Sequence, residues 1–573
     1  KKKMILNMQR VKYSEVKIIV GNRLVLNKKL KRFPAKKIAF SDYVNQMMGT
    51  SGSRWMITPG PRYPMPMIQL SPNNESTIWK AGYEYQIENI SGFNHSQEWT
   101  VAGFLMMPTV GPLQTEPGPD DNPDLGYRSR IDKSTEKAKI GKYSVDLIDY
   151  NIHVDLTATT RSGFQRYVFP KSDEAFVIID AFPDAEYAYE NVETEITKIS
   201  DKKIEGYVHH ICNKTGYVMT QDYKMHFVLE FNKPFEKMGG WGDKSKDFEE
   251  LNHGLTYETL SDDIKNIKSS GNTGVFLKFK TTDNDTVLVR SSISLVSNEN
   301  AWLKLKKEII DPFDWNFEKV AQQQVDIWNQ YLGRIEIESD DFLEKVKFYS
   351  NLYRALSGRA AWGDVNGQWV DMNEEVQTFK DPNQRLCSGE FWNTFWNVQQ
   401  LFQLIAPEFS SMQINSLIEF YEKGGWLSKG IFAGEYSSVM VAMHSIPWIV
   451  GGWNAGIRDF DFEKAYEAMY HAQTALPLQT HSGGSRVGNE SLESYMKYGY
   501  VPLKTNIYQS YVSNTLEYSF DDWCLAQAAK TLKKEDDYQY FMERSENWRN
   551  IFDSEAGFMR PKTKDGSWNE PFD

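Results

Sequence analysis

Three cysteines are all that the 573-residue chain contains, namely Cys212, Cys387 and Cys524. They lie far apart and their number is odd, and neither a CxxC pair nor a Cys/His metal spacing occurs. The sequence therefore predicts no disulfide framework and no structural zinc site. No apolar run reaches the roughly 18 residues that a membrane-spanning helix needs, so no membrane span is predicted. The first residues do not form a recognisable signal peptide either.

An excess of positive charge is also lacking. The chain has 65 Lys and Arg against 77 Asp and Glu, which gives a net charge of −12. A nucleic-acid-binding protein normally presents a basic face, so this class is excluded. Basic residues do concentrate between residues 1 and 37. We interpret residues 1–40 as a basic or disordered leader, with contact to an anionic surface as the alternative.

Aromatic residues, in contrast, are abundant. They make up 14% of the chain, including 17 Trp and 30 Tyr. One interpretation is a set of large aromatic cores. The other is a surface that stacks on sugar rings, because an aromatic face is rigid and apolar. Composition alone favours large aromatic cores over a sugar-stacking surface.

The hydrophobic pattern divides the chain near residue 300. Before that point, apolar residues alternate with polar ones over many short segments separated by turn residues, which is typical of a β-sandwich. We predict a β-sandwich domain at 41–300. The clearest strand patterns lie at 143–150, 152–159, 163–170, 174–180, 225–231, 274–279 and 286–290.

After residue 300 the apolar spacing becomes three and four residues, which indicates amphipathic helices. We predict a helical linker at 301–340 and a helical domain at 341–573. Asp461 and Ser513 fit helix N-caps, and Gly424-Gly425 fits a C-terminal stop. The predicted helices cover 342–357, 391–405, 412–421, 439–453, 462–476, 515–532 and 537–552.

Short sequence blocks follow one another in an order that resembles glycoside hydrolase family 92. In the β-rich half these are NQMMGT at 45–50, PMIQLSP at 66–72, GYEY at 82–85, GFNH at 92–95 and LTATTRSGFQRY at 156–167. In the helical half they are GWL at 425–427, HSIP at 444–447, GIRDFD at 456–461, KAYEAM at 464–469, YGYVP at 498–502, TLEY at 515–518, DDWC at 521–524 and GFMRP at 557–561. The resemblance covers about residues 42–573.

The resemblance implies a fold, which is an N-terminal β-sandwich followed by an (α/α)6 barrel. Such a barrel has twelve helices, whereas we predict about seven after residue 340. We therefore expect the barrel to be incomplete in this chain. The family's catalytic acid and base lie late in the barrel, so we expect both beyond Asp573, and the catalytic residues are unknown.

The resemblance also implies an activity. Members of the family are calcium-dependent, inverting α-mannosidases that act on chain ends. We expect terminal α-linked mannose of N-glycans or mannan to be the substrate, with no nucleic acid as partner, and we locate no calcium ligands. A periplasmic, cell-surface or secreted bacterial location is implied. The alternatives are an exo-glycosidase with altered sugar specificity and a non-catalytic glycan-binding homologue.

The sugar pocket departs from the family pattern. The family's WDxFR motif reads Trp392, Asn393 and Trp396 at its first, second and fifth positions, so its Asp and Arg are replaced. Asn393 can still form hydrogen bonds to a hydroxyl, and Trp396 can stack on a sugar ring, but neither carries charge. We expect these three residues to head a helix that faces the barrel centre, with core packing as the alternative.

Other residues are candidates for sugar contact or support. We expect His95 to lie on a loop that reaches the barrel mouth, with a satisfied surface or core histidine as the alternative. We expect Trp79 and Trp99 to stack on a leaving sugar, with core positions as the alternative. Glu435 is a further binding candidate, with a solvated loop charge as its alternative. Glu517 and Asp521 share a helix face at spacing i, i+4. We interpret them as supporting residues around the site, together with Asp522 and His444.

Overall fold

The computed structural model describes most of the chain. The described residues are 13–20, 23–31, 38–52, 58–74, 82–98, 101–183, 190–213, 220–242, 263–392, 394–437, 440–479, 486–505 and 509–572.

Two large antiparallel sheets form most of the β-rich part, beside the short pairs Asn89–Ile90 with Ser129–Arg130 and Gln97–Glu98 with Val101–Ala102. In order across the nine-stranded sheet, the strands are Lys137–Lys139, Lys142–Leu147, Ile152–Ala158, Ser162–Phe169, Asp285–Ser294, Thr220–Phe231, Lys203–Asn213, Glu190–Ser200 and Asn266–Ser269. In order across the six-stranded sheet, they are Lys237–Trp241, Gly274–Thr281, Ser172–Asp180, Leu105–Val110, Gly92–Asn94 and Ser71–Asn73.

The two sheets pack face to face through their apolar side chains. Phe231 of the nine-stranded sheet lies 5.7 Å, centroid to centroid, from Phe279 of the six-stranded sheet. Val145 and Val154 pair across neighbouring strands, and both are fully buried. The alternating pattern produces this arrangement because every second side chain of a strand points to the same face.

Ten helices of at least seven residues follow in the described part of the chain. They are α1 (Asn298–Leu305), α2 (Phe317–Leu332), α3 (Phe342–Ser357), α4 (Val398–Ile405), α5 (Pro407–Gly424), α6 (Ser445–Asn454), α7 (Phe462–Thr474), α8 (Leu492–Tyr498), α9 (Tyr511–Thr531) and α10 (Glu535–Ser545). The predicted division into a β-rich N-terminal part and a helical C-terminal part is confirmed. No described helix is both long and apolar enough to cross a membrane.

Short strands connect the helices. The paired segments are Ala361–Trp362 with Leu386–Cys387, Gln368–Val370 with Val376–Thr378, Leu478–Gln479 with Arg486–Val487, and Phe552–Asp553 with Phe558–Met559. A three-stranded sheet contains Gly389–Glu390, Gly430–Phe432 and Glu435–Tyr436.

Helix ends agree with the sequence signals at two of the three predicted positions. The Asp461 carboxylate accepts a hydrogen bond from the Lys464 N–H and caps α7. Gly425 ends α5 in the left-handed conformation, with φ of 78°. Ser513 is not an N-cap, because α9 begins two residues earlier at Tyr511, after Ser510. Tyr511 is buried in the first turn of α9, and its packing extends the helix past the serine.

The region that we interpreted as a leader contains a β-hairpin. Strand Tyr13–Val20 pairs with strand Arg23–Lys31 in antiparallel register. The pairing corrects the expectation of disorder for this part of residues 1–40. Its cause is the β-branched residues Val16, Ile18, Ile19 and Val20, which favour an extended strand despite the basic composition.

The helical linker predicted at 301–340 contains α2, which packs on the sandwich. In α2, Phe317, Val320, Trp328 and Leu332 are buried at helical spacing. The buried Gln324 of the same helix donates a hydrogen bond from Nε2 to the carbonyl oxygen of Ala158 at 3.1 Å.

One hydrophobic core runs from the sandwich into the helices. Buried hydrogen bonds cross the same boundary. Trp328 Nε1 donates to the carbonyl oxygen of Arg62 at 2.8 Å, and Arg385 Nη1 donates to that of Met65 at 2.6 Å. The β-rich and helical parts therefore hold each other in place.

Candidate functional site

In the helical part, a histidine lies between two carboxylates. His444 directly precedes α6, and Glu517 and Asp521 stand one turn apart on α9. His444 Nε2 lies 3.1 Å from Glu517 Oε2, and His444 Nδ1 lies 3.2 Å from Asp521 Oδ1. The second oxygen of Asp521 accepts a hydrogen bond from the Met443 N–H at 2.7 Å. The structure thus brings three of the predicted supporting residues together.

The charges of this cluster keep His444 protonated. Burial alone would lower the pKa of His444, but Asp521 and Glu517 on either side raise it to about 9. Burial raises the pKa of Asp521, and the neighbouring His444 opposes that rise. Glu517 is the member that solvent reaches, since its side chain is 20% exposed. It is therefore the carboxylate that a ligand can contact.

Several aromatic side chains lie beside the histidine. The Phe395 ring stacks on the His444 ring with centroids 3.9 Å apart, and Phe520 of α9 lies 5.7 Å from Phe395. Trp392 and Trp396 meet edge to face at 5.2 Å. Trp396 is 59% exposed, so its indole is open to a ligand. Aromatic faces of this kind bind the C–H faces of sugar rings.

Neither Trp392 nor Trp396 lies on an α-helix, contrary to the prediction for 391–405. A 3-10 turn covers Thr394–Trp396, and α4 begins only at Val398. The cause is a hydrogen bond from the Phe391 N–H to the carbonyl oxygen of Lys429, which continues the pairing of the preceding strand. Asn393 lies outside the described residues.

A buried lysine also belongs to this region, and the sequence analysis did not identify it. Lys429 directly precedes the strand Gly430–Phe432 and is 7% exposed. Burial lowers the pKa of Lys429, while the charges of Glu490 and Asp521 oppose that change. A single lysine between the apolar segments 426–427 and 431–432 was the available signal, because a charge in that position needs a partner.

Glu435 lies in a strand and not in a solvated loop. It begins the strand Glu435–Tyr436, which pairs with Gly430–Phe432, and it is 2% exposed. Ala433 and Gly434, with φ of 47° and 86°, form the tight turn between the two strands. Two consecutive positive φ values suit a two-residue hairpin, and this turn places Glu435 in the sheet.

Asp522 points away from the histidine, although it follows Asp521 directly. It accepts a hydrogen bond from the Tyr495 hydroxyl at 2.8 Å and one from Arg544 Nε at 3.1 Å. Burial raises the pKa of Asp522 to about 7, against the opposing charge of Arg544. Consecutive helix residues differ by about 100° in direction, so Asp521 and Asp522 of α9 belong to two different clusters.

His95 lies inside the sandwich and not on a loop at the barrel mouth. It follows the strand Gly92–Asn94, is fully buried, and stacks on Phe104 at 4.1 Å. Its Nε2 lies 3.0 Å from Ser291 Oγ. Burial lowers the pKa of His95 to about 3, so the ring is neutral and acts in packing. The strand pairing of 92–94 draws the histidine inward. Trp79 and Trp99 lie outside the described residues.

Comparisons with known proteins agree with this architecture. The sequence model of the glycosyl hydrolase family 92 N-terminal domain matches residues 43–294, and that of the family's catalytic domain matches residues 300–573. A curated relative, described as an uncharacterised secreted glycosidase of Arthroderma benhamiae, is 22% identical over 92% of this chain. The chain spans 66% of the length of that relative, slightly less than two thirds.

Solved structures give the same result. A family GH92 α-mannosidase of Bacteroides thetaiotaomicron superimposes with a TM-score of 0.82 at 28% identity, over 94% of this chain and 69% of its own. An inverting GH92 mannosidase of Bacteroides thetaiotaomicron VPI-5482 superimposes with a TM-score of 0.79 at 26% identity, over 94% of this chain and 68% of its own. With both domains matched in order, the chain belongs to glycosyl hydrolase family 92.

Proposed function

We propose that this chain carries the sugar-binding region of an inverting α-mannosidase that removes terminal α-linked mannose from N-glycans or mannan. Family membership and the likeness to GH92 α-mannosidases support this function. One of those enzymes has been solved in complex with mannoimidazole, and it superimposes with a TM-score of 0.81 at 28% identity over 94% of this chain and 67% of its own. We further propose that the helices form part of the family's (α/α)6 barrel.

The observation that carries the proposal is the exposed Trp396 in the same region as the Glu517 carboxylate, which lies 3.1 Å from His444 Nε2. A sugar presents an apolar face and several hydroxyls. An indole binds the face, and a charged carboxylate accepts strong hydrogen bonds from the hydroxyls. Few precisely placed polar groups beside an aromatic surface are typical of a small-molecule site.

The acids of this cluster suit binding better than proton transfer. Inverting hydrolysis uses two carboxyl groups about 6.5–9.5 Å apart, with room for a water between them. Glu517 and Asp521 both engage His444, and Asp521 is fully buried. We therefore propose that they hold the sugar and its neighbours in position, and we assign neither of them as the catalytic acid or base.

Calcium is the cofactor that the family implies. Calcium takes several oxygen ligands, mostly carboxylates and carbonyls. Among the residues that the structure describes, no group of three or more His, Cys, Asp or Glu side chains has the arrangement to hold a metal ion. We therefore assign the calcium ion no ligand among the described residues.

The proposed location is outside the cytoplasm of a bacterium, in the periplasm, on the cell surface or secreted. The support for this is the description of the curated relative as a secreted glycosidase. Glycans with terminal mannose are the partners that this location and the pocket suggest.

Mannose release tests the function. The full-length protein, assayed with calcium, should liberate mannose from α-1,2-, α-1,3- or α-1,6-mannobiose. The Trp396→Ala variant should lower kcat/KM about tenfold, since a stacking aromatic contributes about 0.5–1.5 kcal/mol beyond its buried area. Trp548→Ala removes a partly buried tryptophan on a 3-10 turn after α10 and serves as the control. Absence of mannose release from all three disaccharides would refute the proposal.

An altered sugar specificity is the second candidate. The sequence has Trp396 where the family motif has an arginine, and the structure shows this indole exposed. An uncharged stacking group lacks the bidentate hydrogen bonds of a guanidinium, so another α-glycoside can fit better. A panel of aryl α-glycosides distinguishes the two candidates, because faster hydrolysis of a sugar other than mannose selects the second. Binding without hydrolysis across the whole panel would instead favour the non-catalytic homologue.

A further inference from the structure

A groove lined by none of the residues of the His444 cluster lies where the nine-stranded sheet meets the start of α2. Its volume is about 690 Å³ and it is open to solvent. The strands Ser162–Phe169 and Asp285–Ser294 contribute to its wall, together with residues 313–318 that lead into α2. The function proposed above uses none of these residues.

Trp315 forms a fixed aromatic surface in this groove. The guanidinium carbon of Arg290 lies 3.9 Å from the centroid of the Trp315 ring, and Phe164 meets the ring edge to face at 6.1 Å. Arg290 is itself held by Glu230 at 2.8 Å and is only 5% exposed. Trp315 is partly exposed. A tryptophan fixed in this way loses little conformational entropy when a ligand stacks on it.

Carboxylates outnumber cations around Trp315. Asp314, which is 75% exposed, lies 3.3 Å from Arg290. Arg166 lies between Asp155 at 2.5 Å and Glu318 at 3.0 Å. Of these charged residues, Arg166, Asp314 and Glu318 line the groove, so its wall has no excess of positive charge. Such a lining does not favour a polyanion, but its carboxylates and guanidinium offer acceptors and donors to the hydroxyls of a neutral ligand.

The backbone at Asp314 is strained. Its φ of 49° and ψ of −125° lie outside the conformations that a residue with a side chain ordinarily adopts. Strain of this kind is retained where the surrounding structure fixes it, and it concentrates at ligand-binding sites. Here the strained turn places Trp315 over Arg290 and directs Asp314 into solvent beside it.

We propose that this groove is an accessory binding site for a neutral oligosaccharide, with Trp315 as its stacking surface and Asp314, Arg166 and Glu318 as its hydrogen-bonding groups. The choice of mannan as its ligand rests on the function proposed above. The site holds the polymer near the enzyme without taking part in hydrolysis. It should therefore strengthen binding to a long chain and leave a short substrate unaffected.

Affinity electrophoresis in gels that contain yeast mannan tests the proposal. The full-length protein should be retarded, and Trp315→Ala should weaken its apparent affinity about tenfold, because the stacking contact is lost. Trp315→Tyr retains a stacking ring and should weaken it at most about threefold. Hydrolysis of an aryl α-mannoside should keep the same kcat/KM in all three proteins.

A matched control isolates the groove. Trp548 also has an arginine over its ring, with the Arg549 guanidinium carbon at 4.6 Å from the centroid, but it lies outside the groove. Trp548→Ala should bind mannan as the unaltered protein does. Equal weakening by Trp315→Ala and Trp548→Ala would overturn the proposal, and so would unchanged binding by Trp315→Ala.

Folding and function are checked separately. If Trp315→Ala melts at a much lower temperature, Glu318→Gln provides the fold-neutral variant, because this side chain is 64% exposed. It should weaken mannan binding about threefold, and unchanged binding would count against the groove. Retardation that depends on Trp315 without any mannose release would support the groove and refute the mannosidase. Mannose release without retardation would support the mannosidase and refute the groove.

Discussion

At the scale of single residues, His444 makes the site sensitive to pH. Its pKa is about 9 in the folded protein, above the value of about 6.5 for a free histidine. A raised pKa contributes stability that is complete below pH 6.5 and is lost as the pH rises through 9. The contribution is about 3 kcal/mol. We expect the melting temperature of the protein to fall between pH 7 and pH 10, and His444→Gln to lose most of this dependence.

Another histidine provides the control for this measurement. His95 is buried in the sandwich, and burial lowers its pKa to about 3. It is therefore neutral between pH 7 and pH 10, so His95→Gln should lower the melting temperature by the same amount at both pH values and retain the pH dependence of the unaltered protein. If the melting temperatures of His444→Gln and the unaltered protein change equally with pH, the contacts of His444 with Glu517 and Asp521 do not stabilise the fold.

The same cluster shows which part of the site the sequence could predict. The i, i+4 spacing placed Glu517 and Asp521 on one face of a helix, and α9 has them there. Their contact with His444 spans more than 70 positions of sequence, and no local pattern encodes it. His95 illustrates the opposite case, because only the strand pairing around it reveals that it is buried. The binding roles of Trp396 and Glu435 stay predictions.

At the scale of elements, the end of α5 allows a clean test of backbone strain. Gly425 adopts a φ of 78°, and an added methyl group would meet no atom within 4 Å. Gly425→Ala should therefore cost about 1 kcal/mol through the left-handed conformation alone. Urea denaturation measures this as a lower midpoint with an unchanged slope. Gly425→Asn should cost less stability, because asparagine tolerates this conformation. Equal urea midpoints for the alanine variant and the unaltered protein would exclude backbone strain at this position.

Elements with a strong local signal were predicted well. The helix predicted at 342–357 has the bounds of α3, and the strands predicted near 152–159 and 274–279 agree within two residues. The predictions are wrong where tertiary contacts determine the local backbone structure. The segment at 391–396 has helical spacing, yet hydrogen bonding to Lys429 and a 3-10 turn replace the first turns of the helix. Periodicity describes which side chains are apolar, and it does not exclude a competing partner for the backbone.

At the scale of the whole molecule, one buried ion pair lies where the sandwich meets the helices. Lys304 on α1 and Asp364 in the helical part are 2.5 Å apart, with side chains 0% and 1% exposed. Asp364 also accepts hydrogen bonds from Ser294, at the end of the last sandwich strand, and from Asn300, both at 2.7 Å. The pair thus joins both parts of the chain inside a continuous core.

The junction predicts cooperative unfolding of the two parts. Removal of one partner of a buried ion pair costs about 3–5 kcal/mol, because the other charge is left uncompensated. Since Asp364 contacts residues from both parts, Lys304→Met should lower the stability of both together. Calorimetry should show one transition for the full-length protein and one transition at a lower temperature for this variant. Lys464→Met removes only the exposed pair with Glu467 and should cost less than about 1 kcal/mol. Two separate transitions in the unaltered protein would mean that the shared core does not couple the sandwich to the helices.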